Sequence, residues 1–143
     1  MTLIVDASVA LKWFLRGEPL VYNALAIIRE GNSLIAPDIL IAEVCNGAWR
    51  SARLGRIGWD QVSEISGVLP HCFDLLVSSA ILAPRAVTLA AELDHPVYDC
   101  LYVALAEAQH VDLITADQRL LEKMRRSLGE ARALYLGDYE VSA

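Results

Sequence analysis

The chain has 143 residues, the usual size of one domain, and it is 55% hydrophobic, enough to build a sizeable core. No apolar run approaches the roughly 18 residues that cross a bilayer, so the apolar excess belongs to a core, an interface or both, and an oligomer with no membrane partner is expected. A formal net charge of −6 has the wrong sign for holding nucleic acid by bulk electrostatics, so any nucleic-acid role requires bound cations or a local basic patch.

Thr2–Val5 reads as a buried strand that ends at Asp6, and Ser8 is suited to cap a short helix through Phe14, stopped near Gly17. Pro19–Glu30 follows as a helix closed by Gly31, and Ser33–Ala36 as a brief strand. Pro37-Asp38 opens a long helix to about Leu54, with Asp38 a first-turn charge and Gly55 the stop. Trp59–Leu69 is helical, Cys72–Val77 a strand, and Pro84–Leu93 a helix, after which His95-Pro96 breaks the chain. The alanine-rich stretch Tyr98–Gln109 is a helix with Leu101, Ala104, Leu105 and Ala108 as its inward stripe. Val111–Thr115 is a strand, Asp117–Leu128 a helix and Arg132–Leu136 a last strand.

Strands separated by helices of this length predict βαβ units and a parallel sheet, hence the α/β class, with ligands at the carboxyl ends of the strands. There is no repeat and no Pro/Gly/Ser-rich linker, which predicts a single domain over residues 1–143. The opening Met1–Val5 lacks the basic region and cleavage site of a signal peptide, so a cytoplasmic location is expected. Cys45, Cys72 and Cys100 form no CxxC pair and His71, His95 and His110 are far apart, which argues against a disulfide framework and a zinc site.

The acids fall where such a sheet presents ligands. Asp6 and Asp117 each follow an apolar strand, and Asp99 starts a helix, although each of the three also suits a cap or a first turn. Glu43 is different, because it sits among Leu40, Ile41, Ala42, Val44 and Cys45 with no Lys or Arg one turn away. Carboxylates converging at about 5 Å would repel by roughly 3 kcal/mol per pair at an effective dielectric of 20, a conflict that a hard cation removes.

The segments IVDASVALKWF, APDILIAEVCNGAWR, VYDCLYVALAEAQ and LITADQRLL resemble, in order and spacing, the PIN-domain ribonucleases of the VapC toxin type. The resemblance spans nearly the whole chain. It implies a Rossmann-like PIN domain, a central five-stranded parallel sheet ordered 3-2-1-4-5 and flanked by helices, that hydrolyses RNA internally with Mg²⁺ or Mn²⁺. By position, Asp6, Glu43, Asp99 and Asp117 match the family's catalytic and metal-binding quartet, and Ser8 and Thr115 match its neighbouring hydroxyls, which would orient carboxylates or water. An N-cap role for Ser8 and a strand hydroxyl for Thr115 stand equally open. The resemblance also implies an antitoxin partner, whose basic C-terminal segment occupies the groove, and a homodimer.

Cations that could hold RNA or antitoxin lie near the acids. Glu43, Asn46, Arg50 and Arg53 share a helical face, and Lys12, Arg16 and Arg119 follow Asp6 and Asp117. Trp13, Trp49 and Trp59 are expected at an interface, and Lys123, Arg125 and Arg126 on a solvated helix face. The alternative to the nuclease is a catalytically inactive PIN-like module that only binds protein. A phosphotransfer domain fits less well, since Asp6-Ala7-Ser8 lacks the second acid of a DxD start.

Overall fold

The computed structural model describes residues 1–129 and 132–140. Four buried or half-buried strands flank a fifth, and all run parallel: β1 (Thr2–Val5), β2 (Ser33–Pro37), β3 (Leu75–Val77), β4 (Asp112–Thr115) and β5 (Ala133–Tyr135), in the order β3-β2-β1-β4-β5. That is the expected 3-2-1-4-5 sheet. The order reverses between β1 and β4, where Val5 pairs with Ile114 and the Asp6 N–H continues the ladder to the Ile114 carbonyl. In an open parallel sheet the crevice at such a reversal is where ligands bind.

The helices are α1 (Ala7–Ala10), α2 (Val21–Arg29), α3 (Ile39–Arg53), α4 (Trp59–Val68), α5 (Ser79–Leu93), α6 (Val97–Gln109) and α7 (Gln118–Leu128), with short 3₁₀ turns at Leu11–Trp13, Leu69–Cys72 and Leu136–Asp138. Helix α6 lies across β2, β1 and β4 under α5. Its residues Cys100–Ala106 are all buried, so it is apolar around its whole circumference rather than along the predicted stripe, and Ala108 is exposed.

Three boundaries differ from the sequence reading for physical reasons. Helix α5 begins at Ser79 rather than Pro84, because the Ser78 hydroxyl caps it and Leu82, Ala86, Leu89 and Leu93 recur on one buried face. That face outweighs the hydrogen bond Pro84 cannot make. Helix α2 starts at Val21 because Leu20 takes a left-handed φ of 64°. Strand β3 is shortened at its start because a 3₁₀ turn with Pro70 in its second position runs from Leu69 through Cys72.

Of the tryptophans, Trp13 is half-buried and packs against the core. Its ring packs against Phe73 and its indole N–H donates to the Ala24 carbonyl, which places it at the edge of the core. Trp49 and Trp59 are exposed, and the Arg53 guanidinium lies 5.5 Å from the Trp49 ring. Among the described residues, no helix is long and apolar enough to cross a membrane, and the three cysteines are free.

Candidate active site

Asp6 leaves β1 in an extended conformation, and its carboxylate caps α1 by accepting the Val9 N–H at 3.2 Å. The cap predicted for Ser8 therefore belongs to Asp6. Ser8 instead bridges two strand ends, donating its hydroxyl to Asp6 and accepting the Ala116 N–H at 3.2 Å. Thr115, fully buried, donates to the other Asp6 oxygen and accepts the Asp117 N–H at 3.0 Å. The two hydroxyls tie the carboxyl ends of β1 and β4 together around one carboxylate.

Asp117 caps α7, accepting the Arg119 and Leu120 N–H groups at 3.0 and 3.1 Å through its Oδ1. Asp99 stands in the first turn of α6, with Oδ2 2.6 Å from His95 Nε2. Glu43, in the second turn of α3, accepts the Tyr102 hydroxyl at 2.8 Å. Tyr102 itself is buried one turn beyond Asp99 on α6.

Electrostatics link these groups. Burial pushes the Asp6 carboxyl up to about 6 against the pull of its three hydrogen bonds, and the Asp99 charge adds to the rise. Burial likewise raises Glu43, opposed by Tyr102 and reinforced by Asp99. The Tyr102 hydroxyl is raised by burial first and then by Glu43, with smaller contributions from Asp6 and Asp99. Asp99 thus acts on both Asp6 and Glu43, and all three acids act on one phenol. Asp117 joins through Asp99: one donor atom from each of His95, Asp99 and Asp117 lies within 4.8 Å of the others. No ion pair involves Asp6, Glu43 or Asp117 among the described residues.

The predicted cations divide. Asn46 and Arg50 line a cleft of about 240 Å³ together with Ser8 and Glu43. Gly47 also lines that cleft and packs closely on Leu11, whose Cδ2 would lie 2.6 Å from a Cβ at position 47. Arg53 turns away over Trp49, and Arg119 is exposed beside Asp117. Arg16 faces a separate cavity of about 410 Å³ that it shares with Arg56, a cation the sequence reading passed over. Lys12 is half-buried at the end of the 3₁₀ turn after α1.

Three more side chains at the site escaped the sequence reading. Tyr102, three residues after Asp99, could have been found by helical spacing. In the sequence His95 reads only as part of a chain break and Lys123 as solvated helix surface. Lys123 is in fact half-buried, donating to the Asp94 carbonyl at 2.5 Å and lying 3.2 Å from His95 Nδ1.

A parallel sheet of this order, with carboxylates gathered at its point of reversal, is the architecture of a PIN domain. The chain belongs to the PIN domain family, which matches residues 3–126. It is 34% identical over 125 residues to Ribonuclease VapC3 of Pyrobaculum aerophilum, covering 86% of this chain and 95% of that relative. Among solved structures, PAE2754 from Pyrobaculum aerophilum aligns with a TM-score of 0.70 at 24% identity, over 96% of this chain and 93% of the other. A chain of a toxin-antitoxin complex from Klebsiella pneumoniae aligns with a TM-score of 0.63 at 20% identity, over 94% and 97%. These two likenesses speak for the fold.

Proposed function

We propose that this chain is a VapC-type toxin, an endoribonuclease that depends on Mg²⁺ or Mn²⁺ and is held in check by a cognate antitoxin. The observation that carries the reading is the gathering of acids at the sheet's reversal point, where the Asp99 charge raises both buried Asp6 and Glu43 and no Lys or Arg is ion-paired to Asp6 or Glu43 among the described residues. Only protonation or a cation relieves such a cluster. Its donors are carboxylate oxygens, which suit hard Mg²⁺ or Mn²⁺ rather than zinc.

Asp6, Asp99 and Asp117 would hold the ion, with Glu43 directed to a second ion or to the attacking water. When bound, the cation lowers the pKa of water and offsets the charge that builds on the phosphodiester. Ser8 and Thr115 fix the Asp6 carboxylate, which otherwise could rotate, and Tyr102 fixes Glu43. A Glu43 raised above its ordinary range is suited to take a proton from water during attack. Asn46 and Arg50 lie in the same cleft as Glu43 and would hold the RNA backbone, and Arg119, exposed two residues beyond Asp117, would add a further contact.

The name of the 34% identical relative, a ribonuclease, supports RNA as substrate, and the toxin-antitoxin likeness supports a protein inhibitor. An acidic cleft is complementary to a basic antitoxin segment. A homodimer belongs to the same reading, as the resemblance to VapC-type PIN domains implies.

The test is cleavage of an end-labelled RNA with Mg²⁺ or Mn²⁺, with EDTA, and with an Asp99→Asn variant. Internal fragments that require metal and disappear in the variant are expected. Cleavage indifferent to both would refute the reading, and stepwise release of mononucleotides would make the enzyme an exonuclease instead. A DNA strand of the same sequence reports whether the 2′-hydroxyl is read.

A further inference from the structure

His95, Asp99 and Asp117 present donor atoms close enough for one ion to bridge, which invites the assignment of His95 as a ligand. Lys123 speaks against it. An ammonium has three donors and no lone pair, so its approach to His95 Nδ1 at 3.2 Å is a hydrogen bond only if Nδ1 is unprotonated. The ring proton then sits on Nε2, which donates it to Asp99 Oδ2 at 2.6 Å. A metal-ligating Nε2 would need the opposite tautomer, with the Nδ1 proton facing an ammonium.

We propose that Lys123 and His95 form a positioning relay that locks one Asp99 oxygen and turns the other toward the cation, and that His95 is not itself a ligand. The relay joins three elements. Lys123, on α7, also donates to the carbonyl of Asp94, the left-handed residue that ends α5. The His95 N–H returns to the Ala90 carbonyl, so the imidazole is held on both its backbone and its ring. Its side chain is 5% exposed, which shields the bond to Asp99 from competing water. The arrangement is that of a carboxylate ligand oriented by an outer hydrogen-bond partner, whose loss typically costs 10–100-fold in metal affinity.

The inference rests on Asp99 being a ligand, as proposed above, and its test separates the two. Long-range ¹H–¹⁵N spectra of the metal-free chain read the tautomer directly, with the Nε2–H form expected. Spectra at saturating Mg²⁺ should keep that proton. Titration with Mn²⁺, followed by its electron spin resonance, should give a Kd about 10–100-fold weaker for His95→Ala, and for Lys123→Met a smaller weakening in the same direction. His95→Gln, which can still donate to Asp99, should restore most of the affinity. An Nδ1–H tautomer, loss of the Nε2 proton on adding Mg²⁺, or unchanged Mn²⁺ affinity in His95→Ala would each overturn the relay. If the parent itself binds no Mn²⁺, the metal reading fails and the relay fails with it, whereas an Nδ1–H tautomer in a parent that does bind Mn²⁺ overturns the relay alone.

Discussion

Asp6→Asn should make the metal-free protein more stable while making it unable to respond to metal. The Asp6 carboxyl is buried and held at about 6, against 3.8 for the free side chain. Between those values the folded chain keeps a proton that the unfolded chain releases, so stability is fully present below about pH 4 and falls as pH rises to about 6. At about 1.4 kcal/mol per pH unit, the ionised carboxylate costs the fold about 3 kcal/mol at neutral pH. Asparagine removes that charge but turns an amide donor toward one of the hydroxyls that now donate to Asp6, losing a hydrogen bond of about 1 kcal/mol. The net gain is about 2 kcal/mol, or about 4–8 °C in Tm for a chain of this size. The assay is thermal and urea unfolding in EDTA across about pH 4.5 to 8. The variant's advantage should be largest near neutrality and vanish by about pH 4.5. Saturating Mg²⁺ should raise the parent by RT ln(1 + [L]/Kd), about 2.7 kcal/mol at a hundredfold excess over Kd, and leave the variant unmoved. A variant no more stable than its parent at about pH 7.5 in EDTA would refute the burial argument.

Glu43→Gln should remain folded by circular dichroism and lose about 100-fold or more in kcat, since the group proposed to receive water's proton is gone; retention of full kcat would remove Glu43 from the mechanism. Tyr102→Phe deletes the hydrogen bond that opposes the rise of Glu43, so the acidic limb of the pH–rate profile should move to higher pH, and a limb that stays put or moves down would contradict the assignment. Arg50→Ala should raise KM for RNA, leave kcat nearly unchanged and lower the salt slope of binding by about one ion, while Arg16→Ala, in a separate cavity, should change neither, as nitrocellulose filter binding at several salt concentrations would show.

Much of this protein is legible in one dimension. Strand β1 agrees with its predicted span, and β2, β4, α3 and α7 agree to within a residue or two, because the strands are short apolar runs and the helices carry an apolar face with a local stop such as Gly55 after α3. The carboxylates at Asp6 and Asp117 are visible for the same reason, as acids placed directly after apolar strands. Glu43 also stands out locally, because a carboxylate in an apolar helix lacks an i±3 or i±4 cation. What the sequence cannot supply is contact between residues far apart along it. The Thr115–Asp6 bond spans 109 residues and the Tyr102–Glu43 bond 59, and both exist only because the sheet reverses between β1 and β4 while α6 lies across it. The start of α5 follows from a buried face that outweighs a proline, and the place of Lys123 from a carbonyl at the end of a different helix. Chain-local chemistry chose which residues carry charge and where each strand ends. Tertiary packing decided which of those charges meet and how dry their meeting place is, because burial and non-local hydrogen bonds are properties of the folded surface and not of neighbouring residues.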